Sequence, residues 1–314
     1  MPGGEERVLR RRIRSVQSTK KITKAMELIA GSRIRKAEER VRAAVPYSEA
    51  ITEIARDLAA AGGEAQSDLL VPREVKASAL VVIAADRGLC GGYNSNVFRA
   101  GEGEVKGIAR RGERYELITV GRKAEGYFRF RDYRIDHTFS GFSENPTYED
   151  ARAIARAVEA RFNEGAYDKV ELVYTRFVSI GVQEVVQRPL IPLDRETLEG
   201  GDGKPGTDGV GPSYEFEPDP STLLESLVPR YVEARIYAAL LNAAASEQAA
   251  RQRAMKAASD NADELIINLT RKMNRARQDA ITTEITEIVG GAEALRAGET
   301  NEPDTLLVAS ATYD

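Results

Sequence analysis

One cysteine, one histidine and no tryptophan in 314 residues leave little of the equipment an enzyme commonly uses. Cys90 alone cannot close an internal disulfide, and with His137 as the only imidazole the usual nitrogen and sulfur metal sites are excluded, so no metal or other cofactor is expected. The lone cysteine and the absence of a recognisable signal peptide point to a reducing interior compartment. No apolar run approaches the ~20 residues needed to span a bilayer, so membrane association is expected only through other proteins. No GxxxxGK[ST] phosphate loop occurs, and no GxGxxG follows the most apolar strand candidate.

Net charge is −4, but it is unevenly spread. Residues 1–45 carry 13 Lys or Arg against five acids, about +8 for the segment. Such a run is either a solvated helix face or a surface for an acidic partner, protein or nucleic acid. A nucleic-acid arm of this kind interleaves aromatics with its basic residues, and residues 5–45 contain none.

The order of the chain suggests α/β architecture combined with a long antiparallel coiled coil. Residues 1–62 read as one helix, with an apolar seam from Leu9 through Ile13, Val16, Ile34 and Val41 to Leu58 that turns polar around Lys20, Thr23 and Glu27. Pro46 should kink it or open its hydrogen bonds locally. Residues 75–195 read as a small doubly wound, Rossmann-like domain. Ala79–Ala85 is continuously apolar, as for a strand covered on both faces; Tyr115–Val120 and Lys169–Phe177 are further strands, and Val182–Val186 returns after a turn at Ser179–Gly181. Helices are expected from Gly121 to about Phe130 and from the N-cap Thr147 to Gly165. Residues 196–218 form a linker, since Gly200–Pro212 holds six glycines and two prolines. Asp219 as N-cap and Pro220 then open a second long helix over 219–296, again interrupted by an internal proline, Pro229, with a flexible tail over 297–314.

Both helices adjoin the α/β block, so they should run antiparallel. With Leu58 set beside Ser221, Glu27 falls level with Gln252 and Glu5 with about Asn274. About 20 residues of the second helix, ~30 Å, then outrun the first. They display Ile281, Ile285, Ile288, Val289 and Leu295, a stripe that a surrounding protein sleeve or self-association must cover. Ile22, Met26 and Ile29 form a second stripe, which either widens the helix pairing or faces an outside partner. The Asp86–Gly92 loop (DRGLCGG) follows a buried strand, where ligands often bind. Cys90 there is either a nucleophile, which would need His137, or part of a tight glycine-dependent turn.

Lys21–Met26 (KITKAM), Asp86–Gly92 (DRGLCGG), Glu217–Pro220 (EPDP), Ser246–Ala250 (SEQAA), Met255–Asn261 (MKAASDN) and Asn274–Gly290 (NRARQDAITTEITEIVG) occur in this order over residues 5–295. Together they resemble the gamma subunits of rotary F-type ATP synthases. The resemblance implies a non-catalytic central stalk that rotates within an alpha-beta hexamer, coupling proton flow to ATP synthesis at beta and regulating ATPase activity and proton flow. Its implied partners are the alpha, beta and epsilon subunits and the c-subunit ring, with no nucleic acid. Its implied place is the cytoplasmic face of a bacterial cell membrane, reached only through the complex. Carried over by motif, Met26, Lys24, Arg251, Gln278 and Thr282 would couple to or contact beta, with Arg251 near Met26. Ile281, Ile285, Ile288 and Leu295 would sit in a bearing, and Asp86, Arg87, Gly88, Tyr214 and Glu217 would make foot contacts. The missing cysteine pair argues against thiol control. The basic nucleic-acid-binding or scaffold coiled coil and an enzyme built on Cys90 are the alternatives.

Overall fold

A computed structural model describes residues 3–60, 73–192, 217 and 219–299. Its elements are α1 (Gly3–Ala60), β1 (Ala77–Ile83), α2 (Tyr93–Arg110), β2 (Arg114–Val120), α3 (Arg122–Phe130), β3 (Ile135–Phe139), α4 (Tyr148–Asn163), β4 (Lys169–Phe177), β5 (Gln183–Ile191) and α5 (Pro220–Glu299). The expected class, long terminal helices around a parallel-dominated α/β sheet, is the one observed. Neither Pro46 nor Pro229 ends its helix. Gly200–Pro212 and residues beyond Glu299 lie outside the described residues. The chain divides into two compact units, Met1–Thr23 with Ala258–Asp314, and Lys24–Ala257.

The larger unit contains a five-stranded sheet in the order β3-β2-β1-β4-β5, parallel throughout except for β5. Every residue of β1 is buried, as its unbroken apolar run requires of a strand covered on both faces. Val81 and Ile83 face one core with Ile154 and Val158 of α4, Ile51 and Leu58 of α1, and Tyr231 and Ile236 of α5. Leu80 and Val82 face the other with Val97 of α2 and Phe128 of α3. Thr147 opens α4 with the anticipated capping box: its side chain accepts from the Asp150 amide, and Asp150 accepts from the Thr147 amide at 2.8 Å. At the start of α5 the Asp219 carboxylate accepts from the Thr222 amide at 3.0 Å.

Two elements escape sequence inspection, α2 and β3. The helix α2 carries Gly101, Gly103 and Gly107, which depress its propensity. Gly101 fits tight packing: a β-carbon there would lie 3.1 Å from Phe128 and 3.2 Å from Val82, so those side chains would have to give way. The strand β3 is short, at the sheet edge and only partly buried, so its apolar signal is weak.

The smaller unit is an antiparallel pair of helical segments. Thr23 Oγ1 and Ser259 Oγ meet at 2.7 Å in a buried polar layer, and Lys20 Nζ donates to Asp263 at 2.5 Å. The polar stretches of the two seams do meet, but one helical turn away from the expected register. Within the larger unit, Gly31 rather than Glu27 lies against Gln252. The cause is the choice of Ser221 as reference: among the described side chains the first buried one in α5 is Val228, so the pairing cannot be counted from the helix's first residues.

Candidate functional site

Four places bear on function, and three of them hold the residues singled out by sequence. In the larger unit Met26 is partly buried, and Lys24 is exposed and paired with Glu27 at 3.0 Å. The Gly31–Gln252 contact puts Met26 level with about residue 257, so Arg251 lies about 9 Å further along the axis. Arg251 is buried rather than presented outward: its side chain is 7% exposed and it donates to Glu247, itself 1% exposed, at 2.7 Å. It also donates to the Gly88 carbonyl at 3.4 Å, which ties α5 to the Asp86–Gly92 loop. Burial pushes the Glu247 carboxyl up even beside Arg251.

The loop itself is organised by Asp86. Its carboxylate accepts from the amides of Arg122 (3.0 Å), Gly141 (2.9 Å) and Ser143 (3.0 Å). Burial opposes ionisation, yet these donors outweigh it and hold the carboxyl below its ordinary value. Asp86 therefore joins the ends of β1, β2 and β3, with Arg87 exposed beside that junction and Gly88 half-buried, its carbonyl turned toward Arg251. Gly121 completes the junction at φ +99°, where a β-carbon would fall 2.3 Å from the Ala84 carbonyl oxygen.

A third feature carries no motif of its own. Glu144 accepts from Arg33 of α1 at 2.5 Å and from Arg87 at 3.4 Å, and Arg40 donates to Asn145. The loop before α4 thereby holds α1. No local spacing announces these long-range pairs, whereas Glu247 and Arg251, four residues apart on a helix, were open to recognition.

The fourth place is the end of α5, in the smaller unit. Gln278 and Thr282 are exposed, as is every residue from Ile281 to Arg296. Exposure of the apolar stripe runs from 49% at Ile281 to 76% at Leu295. Of the remaining foot candidates, Glu217 is exposed and Tyr214 lies outside the described residues.

Nothing here assembles a catalytic centre. A cavity of about 330 Å³ beside Cys90 is lined by Tyr93, Asn96, Thr175, Gln183 and Arg253 among others, with no carboxylate or imidazole to act as base. Burial, and secondarily Glu247, raises the Cys90 thiol, so it is not the thiolate a nucleophile needs. His137 bonds Asp136 at 2.8 Å rather than Cys90. Among the described residues no His, Cys, Asp and Glu cluster could hold a metal ion, and no helix is long and apolar enough to cross a membrane.

Known proteins account for this combination. The family model described as ATP synthase matches residues 5–295. The ATP synthase gamma chain of Frankia casuarinae is 51% identical over 300 residues, covering 94% of this chain and 99% of that one. The chain belongs to the ATP synthase gamma family. The gamma chain of Acidothermus cellulolyticus is 50% identical over 304 residues, covering 94% of this chain and 98% of its own length. Among solved structures, a central-stalk chain of the Tetrahymena thermophila mitochondrial ATP synthase, determined with its c-ring, shares 27% identity and a TM-score of 0.57, covering 76% of this chain and 99% of that one. A chain of the Euglena gracilis mitochondrial enzyme shares the fold at 22% identity and a TM-score of 0.67, covering 98% of this chain and all of that one. Membership of the gamma family makes this chain a non-catalytic stalk subunit of a rotary synthase.

Proposed function

We propose that this gamma chain is the rotating stalk that couples proton flow to ATP synthesis, with its α5 end seated in a bearing formed by the alpha and beta subunits. The observation that carries this reading is the stretch from Ile281 to Leu295, a helix with four large aliphatic side chains half or more exposed and no buried residue. A lone helix of this kind is marginal in water and gains stability from an enclosing apolar partner. Gln278 and Thr282, exposed just before or within the rod, would touch the collar. Met26 and Lys24 would face the beta subunits, and the basic α1 would suit acidic loops there.

The Asp86–Gly92 loop would belong to the foot, with Arg87 turned to the epsilon subunit and Tyr214 and Glu217 adding contacts. Arg251 would act from inside, holding that loop against α5 rather than reaching a partner. The complex would lie at the cytoplasmic face of a bacterial membrane and regulate both ATPase activity and proton flow. Met26→Lys, which adds a charge where two surfaces slide, tests the coupling role in reconstituted vesicles. ATP-driven proton pumping should fall by more than the ATPase rate; an unchanged ratio of the two would contradict it.

A further inference from the structure

The strand starts of β2 and β3 gather a charged rim at the edge of the sheet opposite Asp86. Because β2 and β3 are parallel neighbours, the α2–β2 and α3–β3 turns lie side by side there. Tyr115 and Tyr133, packed edge to face at 6.3 Å, tie the turns together. Arg110, Arg114 and Arg134 are exposed on this rim with no acidic partner among the described residues, whereas Arg129 and Arg131 are paired with Glu125 and Glu102. Asp132 is exposed between them, and Glu113 is taken up by Arg111 at 2.7 Å. Phe130 projects from the same turn at 84% exposure, more than any other large apolar side chain described.

We propose that this rim touches anionic phospholipid headgroups, giving the foot of the stalk a direct contact with the membrane surface. A guanidinium fork matches a phosphodiester, and three unsatisfied arginines on separate turns give a charge that anionic lipid attracts. An aromatic ring beside them is the side chain that settles at a headgroup layer. An acidic protein fits less well, because a docking face needs contiguous complementary area of about 800 Å² per partner, and the rim offers one isolated ring. A fluid headgroup layer also imposes no angular register on a subunit that turns. The proposal rests on the stalk's place at a membrane, but vesicle binding is read without turnover, so the two readings fail separately.

The test is co-sedimentation of the full chain with phosphatidylcholine vesicles, with and without roughly one-third phosphatidylglycerol, across salt. The wild-type chain should bind only the anionic vesicles and leave them as salt rises. Arg110→Ala, Arg114→Ala and Arg134→Ala combined should weaken binding about tenfold or more, and Phe130→Ser by a smaller factor. These side chains are exposed, so circular dichroism should be unchanged, and Arg→Lys at the same three positions should restore most of the binding. Arg11→Ala, Arg12→Ala and Arg14→Ala combined, in the basic α1, should weaken binding by a smaller factor than the rim variant does. The proposal fails if the wild-type chain ignores anionic vesicles, if the rim variant binds them normally, or if the α1 variant takes the larger loss. Normal vesicle binding by the rim variant with lost capture of the other rotor subunits would assign the rim to an acidic protein instead.

Discussion

The two compact units of this chain solve the problem of burying apolar surface in opposite ways. Around the sheet, β1 is wholly buried, two apolar cores flank it, and helices α1, α4 and α5 contribute side chains to one of them. In the helical unit only Ile13, Thr23, Ser259, Ala262 and Leu269 are buried among the described residues, and the stretch past Ile281 buries none. Burial of apolar area is the main source of stability. The sheet unit therefore supplies its own, whereas the end of α5 depends on what surrounds it. That is the division of labour expected between a foot and an axle tip.

The contrast can be broken most severely at the buried ion pair. Arg251→Ala strands Glu247 in an apolar setting and releases the Gly88 carbonyl, and should cost about 3–5 kcal/mol. Denaturant unfolding of the full chain measures it, and a loss below about 1 kcal/mol would show that the pair is dispensable. Gly121→Ala drives a β-carbon to 2.3 Å from the Ala84 oxygen at φ +99°. It should cost roughly 2–4 kcal/mol in the same assay and loosen amide exchange at the Asp86 loop.

A smaller, pH-dependent effect comes from Glu159. Burial, followed by the nearby Glu233, pushes its carboxyl up to about 7. An acid whose folded value is raised holds its proton longer folded than unfolded, so stability declines as pH climbs from about 4.3 toward 7. Glu159→Gln should therefore raise stability at pH 8 by an amount on the order of 1–2 kcal/mol, read as a higher melting temperature, and change little at pH 5. Equal effects at both pH values would contradict the shift. Smallest in stability, and most telling, is Ile285→Ser with Ile288→Ser. The stability of the isolated chain should change by no more than about 0.5 kcal/mol, while incorporation into the alpha-beta head drops.

Much of this was legible in residues. The unbroken apolarity of Ala79–Ala85, the Thr147 capping box, and the Asp219–Pro220 start signal each name a local structure through a local cause. Three glycines in α2 hid a helix by lowering its propensity, and at Gly101 the reason is close packing against Phe128 and Val82, a tertiary demand that propensity cannot carry. The helix register slipped by one turn because seam spacing repeats and does not say where pairing begins. Arg251 and the Glu144 contacts mark the boundary of inference at the site: a motif can flag a residue without saying which way it faces. Only the fold shows Arg251 turned inward to Gly88 and Glu247.

The decisive measurement is amide hydrogen exchange along residues 281–296, in the isolated full-length chain and in the assembled complex. The axle account predicts rapid exchange in the isolated chain and protection by at least about a hundredfold once alpha and beta enclose it. Equal protection in both states would mean the rod shelters itself, and would contradict the account.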